Sequence, residues 1–177
     1  MIVANRVALI TGILGQDGSY LAELLLAKGY TVHGLVRPQK EIVYPLRYEN
    51  IEDIKSHPQL ILHECNIVDV GRITELFKTT LPDEIYHLAA QSNTVRSFSK
   101  EWETFETNTQ STATLLSLIR EYKSDARFYL AASSELFGDA IESPQNELTS
   151  FNPNSPYGIS KVASFYMTKL YREKHSL

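Results

Sequence analysis

The sequence has few features that would attach it to a membrane, a disulfide partner or a polyanion. Cys65 is the one cysteine among 177 residues, which excludes an internal disulfide and a metal site built from cysteines, and which fits a reducing compartment. The longest apolar runs, such as 7–10 and 24–27, are far shorter than the ~20 residues of a membrane helix. Lys and Arg total 17 against 21 Asp and Glu. The resulting net charge of −4 gives no general attraction for nucleic acid or anionic lipid.

The N-terminus also lacks a targeting pattern. Residues 1–6 carry no basic segment followed by a long apolar stretch, so we expect no signal peptide and a cytoplasmic location. A hydrophobic content of 43% in 177 residues can form one well-packed domain. We therefore treat 1–177 as a single domain.

Short β-rich runs alternate with amphipathic helical patterns along the chain. This alternation predicts an α/β fold with a doubly wound parallel sheet, Rossmann-like, because each crossover helix covers one face of the sheet. Such sheets bind ligands at the C-terminal ends of their strands. The predicted strands are 6–11, 30–36, 59–63, 84–88 and 127–131. The predicted helices are 17–28, 70–80, 102–122 and 157–174. A polar loop that contains Pro38 and Pro45 follows the second strand, and a short helix is predicted near 50–55.

A glycine-rich segment, Thr-Gly-Ile-Leu-Gly-Gln-Asp-Gly at 11–18, lies between the first strand and the first helix. Glycines permit a tight turn there and bring backbone N–H groups and the helix N-terminus close to a pyrophosphate. The alternative is a purely structural turn, but the position between strand and helix favours a dinucleotide cradle.

Arg37 directly follows the second predicted strand, at a position where an acidic residue would bind an adenosine ribose hydroxyl. The planar guanidinium of arginine suits a phosphate instead, which favours NADP over NAD. The alternative is a solvated surface arginine.

The fourth strand ends in Leu88, Ala89 and Ala90, and the two small alanines would let the chain pass close beneath a flat ring.

Polar residues suited to proton transfer follow the fifth strand. Ser133 can polarise a carbonyl or alkoxide oxygen, and Glu135 can act as a general base and acid, unless it is only a loop carboxylate. Tyr157 and Lys161 are four residues apart and so share one helical face, where a cation next to a phenol favours the phenolate. A Tyr–Lys pair alone is weak evidence for an active site. Here the pair follows both the Ser–Glu segment and the glycine turn in the chain, and this combination favours a catalytic role.

Together these segments resemble the N-terminal part of the extended short-chain dehydrogenase/reductases, and among them the GDP-mannose 4,6-dehydratase family. The resemblance rests on 11–34, on Leu-Pro-Asp-Glu-Ile-Tyr-His-Leu-Ala-Ala-Gln-Ser at 81–92, on Ser-Ser-Glu-Leu-Phe-Gly at 133–138 and on Asn-Ser-Pro-Tyr-Gly-Ile-Ser-Lys at 154–161. Three features depart from the family pattern. Pro38, Gln39 and Lys40 follow Arg37, where relatives often have a second basic residue and then a serine-rich loop; Asn66 stands where an aspartate is common; and Glu103 stands where a tyrosine is expected.

The resemblance implies an NADP-dependent enzyme that removes water from GDP-mannose to give GDP-4-keto-6-deoxymannose. The implied catalytic residues are Ser133, Glu135, Tyr157 and Lys161. The implied cofactor-binding residues are Gly12, Ile13, Leu14, Gly15, Gln16, Asp17, Gly18, Arg37, Asn66, Ile67, Leu88, Ala89, Ala90, Gln91, Ser92, Tyr157 and Lys161. No metal is implied.

The resemblance covers the dinucleotide-binding portion only, and the usual C-terminal substrate portion is not in this sequence. Relatives form homodimers or tetramers through the helices that correspond to 102–122 and 157–174. Apolar residues that could supply such a contact, unless they pack on their own sheet, are Leu115, Leu118, Ile119, Phe165 and Leu170. Two other functions stay open: a nucleotide-sugar epimerase or reductase, which would not need Glu135, and a non-catalytic dinucleotide-binding module.

Overall fold

A computed structural model describes residues 6–38 and 47–177. The predicted α/β architecture is confirmed: five parallel strands form one sheet in the order β3-β2-β1-β4-β5. Gln39, Lys40 and Pro45, named above, lie outside the described residues. The strands are β1 (Val7–Thr11), β2 (Thr31–Val36), β3 (Leu60–Glu64), β4 (Glu84–His87) and β5 (Arg127–Leu130), and the helices are α1 (Gln16–Ala27), α2 (Val70–Thr80), α3 (Thr94–Ser97), α4 (Glu101–Phe105), α5 (Ser111–Tyr122) and α6 (Pro156–His175).

The strand order places a crevice at the centre of the sheet. β1 pairs with β2 on one side and with β4 on the other, with Thr11 level with both Leu35 and His87. The chain leaves β1 and β4 in opposite directions, which opens a crevice beyond their C-terminal ends. The glycine-rich segment and residues 88–92 both begin at this crevice.

Two apolar layers hold the helices on the sheet. On one face, α1 packs over β1 and β2 together with Ile51, which belongs to a short 3-10 helix at Tyr48–Ile51. On the other face, α2 and α5 pack over β1, β2 and β4, and α6 packs against α5. Leu115, Leu118 and Ile119 are buried in this second layer, so they pack on their own sheet rather than forming an outer stripe.

The structure interrupts the predicted helix at 102–122 with a π-helical turn. α4 and α5 are joined by a π-helical turn at Glu106–Gln110, and α3 precedes them as a separate short helix. A π turn inserts one extra residue into the helix and often accompanies functional positions.

Of the helices in 6–38 and 47–177, none combines the length and the apolar character needed to cross a membrane.

Candidate active site

A cleft of about 310 Å³ opens at the C-terminal ends of β1, β2 and β4. Nine of the predicted cofactor residues line it: Gly12, Leu14, Gly15, Arg37, Ile67, Leu88, Ala89, Ala90 and Ser92. Thr11, Leu35, Val36 and Cys65 also line it and were not among the predicted residues. The crevice that the sheet topology creates is therefore surrounded by the residues that the motifs indicated.

The glycine-rich turn fits close against the end of β4. Gly12 has a φ of 76°, and a Cβ added there would lie 3.0 Å from the backbone nitrogen of Ala89. A Cβ on Gly18 would lie 2.4 Å from the carbonyl oxygen of Gly12. A side chain at Gly12 would push the turn away from the end of β4, and one at Gly18 would push α1 away from the turn. Glycine is therefore required here for the backbone to line the cleft.

The remaining predicted residues of this loop have different surroundings. Ile13 is fully buried and packs over Gly34 of β2, so its side chain belongs to the core. Gln16 and Asp17 are exposed in the first turn of α1. Asn66, after β3, accepts a hydrogen bond from the Val68 N–H at 3.3 Å. Gln91 is buried and its amide donates to Thr104, away from the cleft lining.

A buried hydrogen-bond relay supports the floor of the cleft. The Thr11 hydroxyl accepts from the backbone N–H groups of Leu88 (3.1 Å) and Ala89 (3.0 Å) and lies 2.9 Å from Nδ1 of His87. Nε2 of His87 lies 3.0 Å from the Ser111 hydroxyl, which donates to the Thr107 carbonyl. Because the Ser111 proton is already donated, Nε2 must carry the imidazole proton and Nδ1 must accept from Thr11.

Burial and the nearby Lys161 charge lower the pKa of His87 to about 3. The imidazole therefore stays neutral at physiological pH, in agreement with the proton positions that the relay requires. His87 thus links β1, β4 and the start of α5 beneath the residues that line the cleft. His87 lies within a sequence motif, but the motif did not predict a role for its side chain.

Ser133 and Glu135 lie just beyond β5. The Ser133 hydroxyl accepts from the Glu135 N–H at 3.2 Å and caps a short 3-10 helix at Ser134–Leu136. The Glu135 backbone packs against the start of α6, since a Cβ on Gly158 would lie only 2.6 Å from the Glu135 carbonyl oxygen. This contact places Glu135 beside the first turn of α6.

Tyr157 lies in that first turn of α6 and Lys161 lies one turn later, and both are buried. The Lys161 ammonium donates to the Ala131 carbonyl at 2.8 Å and lies 5.8 Å from the centre of the Tyr157 ring. Burial lowers the pKa of Lys161 to about 8. The bond to Ala131 ties the lysine to the end of β5, so the Ser–Glu segment and the Tyr–Lys pair form one cluster.

Asn108, in the π turn, is a residue of this site that the sequence reasoning missed. It is 1% exposed, and its side chain accepts from the Gln91 N–H at 2.8 Å and donates to the Gln91 carbonyl and to Ser160 at 3.2 and 2.9 Å. It therefore joins the segment after β4 to α6. The polar Thr-Asn-Thr-Gln run within an amphipathic helix was the available signal.

Proteins of one known family are similar to this chain over most of its length. A family model described as GDP-mannose 4,6 dehydratase matches residues 9–177. The chain belongs to this family. It is 41% identical to GDP-mannose 4,6 dehydratase 2 of Caenorhabditis elegans over 98% of its own length and 47% of that protein. It is 42% identical to GDP-mannose 4,6-dehydratase of Yersinia enterocolitica over 96% of its own length and 46% of that protein.

Solved structures place the family within the nucleotide-sugar dehydratase and epimerase fold. A dTDP-glucose 4,6-dehydratase from Streptomyces venezuelae, solved with NAD bound, is 29% identical with a TM-score of 0.82, covering 97% of this chain and 53% of that one. A UDP-Glc/GlcNAc 4-epimerase from Campylobacter jejuni shares the fold at 21% identity, with a TM-score of 0.84, covering 95% of this chain and 49% of that one. The chain spans about half the length of the relatives that it matches.

Proposed function

We propose that residues 1–177 form the NADP-binding and proton-transfer half of a GDP-mannose 4,6-dehydratase. The observation that carries this proposal is the position of Glu135, whose backbone packs at the start of α6 beside the buried Tyr157–Lys161 pair. A simple reductase or epimerase needs a tyrosine and a lysine but no added carboxylate. A dehydratase needs a second group to remove a proton from carbon.

The residues around the cleft fit a nicotinamide dinucleotide. Two glycines bring backbone close to the cavity, α1 directs its N-terminus toward it, and Ala89 and Ala90 leave room at the end of β4. Arg37 at the end of β2 suits the extra phosphate of NADP, which NAD lacks. When bound, the cofactor would accept a hydride from the substrate and later return it.

In the proposed reaction the chain's own residues move and hold protons. Tyr157 takes the proton of the sugar C4 hydroxyl, and Ser133 donates a hydrogen bond to the C4 oxygen. Glu135 then removes the C5 proton, which a ketone at C4 makes acidic, and passes it to the C6 hydroxyl, which leaves as water. The C5–C6 double bond formed in this step is saturated by a hydride at C6, which the reduced cofactor would supply, and by a proton at C5, which Tyr157 returns. Lys161 binds the nicotinamide ribose and supplies the charge beside Tyr157, while its bond to Ala131 keeps it in place.

We also propose that the chain assembles in the cytoplasm as a homodimer or tetramer through 102–122 and 157–174. The outward side of α4 and α6 carries large apolar residues: Trp102 is 73% exposed, Tyr166 55% and Leu170 48%. Burying such residues between copies would stabilise association. Analytical ultracentrifugation of the chain and of Trp102→Glu would test this assembly, with a monomeric variant as the expected result.

The proposed reaction is tested by incubating the protein with NADP and GDP-mannose and measuring loss of water from the sugar nucleotide by mass spectrometry. We expect water loss that Glu135→Gln abolishes, while Glu147→Gln, which changes an exposed loop carboxylate, leaves it intact. Turnover without water loss, unaffected by Glu135→Gln, would favour an epimerase or reductase instead. Binding of NADP with no turnover of any sugar nucleotide would favour a non-catalytic dinucleotide-binding module.

A further inference from the structure

A side chain from a separate segment reaches the glycine-rich turn. Asn50 lies in the 3-10 helix Tyr48–Ile51, and its amide nitrogen donates to the Leu14 carbonyl at 2.8 Å. Because the partner is a carbonyl oxygen, the amide must present its N–H group to it. The next residue, Ile51, is 1% exposed and packs in the same apolar layer as Ile13 and Leu14, which anchors the 3-10 helix beside the turn.

This contact fixes a whole peptide group within the turn. The peptide between Leu14 and Gly15 is held at one end by Asn50 and at the other by the Gly12 carbonyl, which accepts from the Gly15 N–H at 2.9 Å. A planar peptide held at both ends cannot rotate. Leu14 lines the cleft, and within 6–38 and 47–177 its N–H has no internal acceptor, so the fixed turn leaves this donor available to an anion in the cleft.

We propose that Asn50 is a positioning residue for the pyrophosphate of the dinucleotide. In this proposal Asn50 acts through Leu14, by holding the peptide that orients the neighbouring Leu14 N–H donor. The inference rests on the proposed function in so far as the ligand of the cleft is a dinucleotide. It assigns a role in that site to a residue 36 positions away from the turn.

Asn50→Leu is the direct test, because leucine has a similar size and no donor, and Asn50→Asp is a second variant that also loses the donor. The affinity for NADPH is measured by fluorescence titration, and the affinity for 2′-AMP, which lacks the pyrophosphate, by calorimetry. We expect NADPH to bind about three- to tenfold more weakly, as loss of one hydrogen bond implies, and 2′-AMP to bind as in the unchanged protein.

Gln59→Leu is the matched control. Gln59 makes the same kind of bond, from its amide to the Gly29 carbonyl at 3.2 Å, but at the opposite end of β2 from the cleft. This variant should bind NADPH normally. Binding of 2′-AMP shows in each case that the protein has folded.

Equal NADPH affinity for Asn50→Leu, Asn50→Asp and the unchanged protein would overturn the positioning role while leaving the proposed function intact. Equal weakening of NADPH and 2′-AMP would overturn it as well, because the effect would then be a general loss of structure. If the unchanged protein bound no dinucleotide, both the positioning role and the proposed function would be refuted.

Discussion

Lowering the pH from 7 to 5 should destabilise the fold through one buried histidine, His87. The relay requires a neutral imidazole, because Nδ1 accepts from Thr11 and the Nε2 proton is directed at Ser111. Burial and the Lys161 charge lower the pKa of His87 to about 3 in the folded protein. In the unfolded chain a histidine titrates near ~6.5.

The sign and size of the effect follow from these two pKa values. Between pH 6.5 and 3 the unfolded chain binds a proton at His87 that the folded protein does not bind, so the free energy of unfolding falls as the pH falls. Each pH unit in this window is worth about 1.4 kcal/mol for one group. At pH 5 the loss attributable to His87 is therefore about 2 kcal/mol relative to pH 7.

Urea unfolding followed by circular dichroism at pH 7 and pH 5 measures this quantity. His87→Gln removes the titrating group, so the unchanged protein should lose about 2 kcal/mol more between the two pH values than the variant does. His175→Gln, at the exposed end of α6, is the control and should keep the full pH dependence. The same pH dependence in His87→Gln as in the unchanged protein would refute the relay and its proton positions.

The buried contacts around the Ser–Glu and Tyr–Lys cluster give three more predictions. Gly158→Ala would place a Cβ 2.6 Å from the Glu135 carbonyl oxygen; we expect loss of water-removing turnover with NADPH affinity retained, as measured by mass spectrometry and fluorescence titration. NADPH should bind more weakly above pH 8, where Lys161 loses its proton, and a fluorescence titration of Lys161→Met should show no such pH dependence. Asn108→Leu should lower the free energy of unfolding by about 2 kcal/mol in urea, because the backbone N–H and carbonyl of Gln91 lose their partner.

The sheet and much of the cleft could be predicted from local sequence. Each strand lies in a short β-rich run next to a turn signal, and parallel connectivity then places Thr11, Val36 and His87 at one edge of the sheet. Residues that follow a strand directly, such as Gly12 and Ala89, reach the cleft because the strand end itself carries them there. For these residues the position in sequence determines the position in space.

The residues that escaped prediction depend on long-range contacts. Asn108 reaches Gln91 because a π turn shifts the phase of the helix by one residue, and periodicity analysis assumes a constant 3.6-residue repeat. His87 lies within a recognised motif, but its role depends on hydroxyl groups from β1 and α5. No local pattern encodes such a pairing of distant hydroxyls with one imidazole.

Helical periodicity identifies an apolar face but not what covers it. In α5 the apolar residues include Leu115, Leu118 and Ile119, and the sheet beneath them covers that face completely. In α6 the polar Ser160 and Ser164 are buried against the preceding helix, while Tyr166 and Leu170 remain exposed on the other side. Buried serines let two helices approach closely, so the larger apolar side chains of α6 are turned away from its own domain. Their orientation thus follows from the packing of small residues between helices, which is why the exposed apolar surface lies on α6 and not on α5.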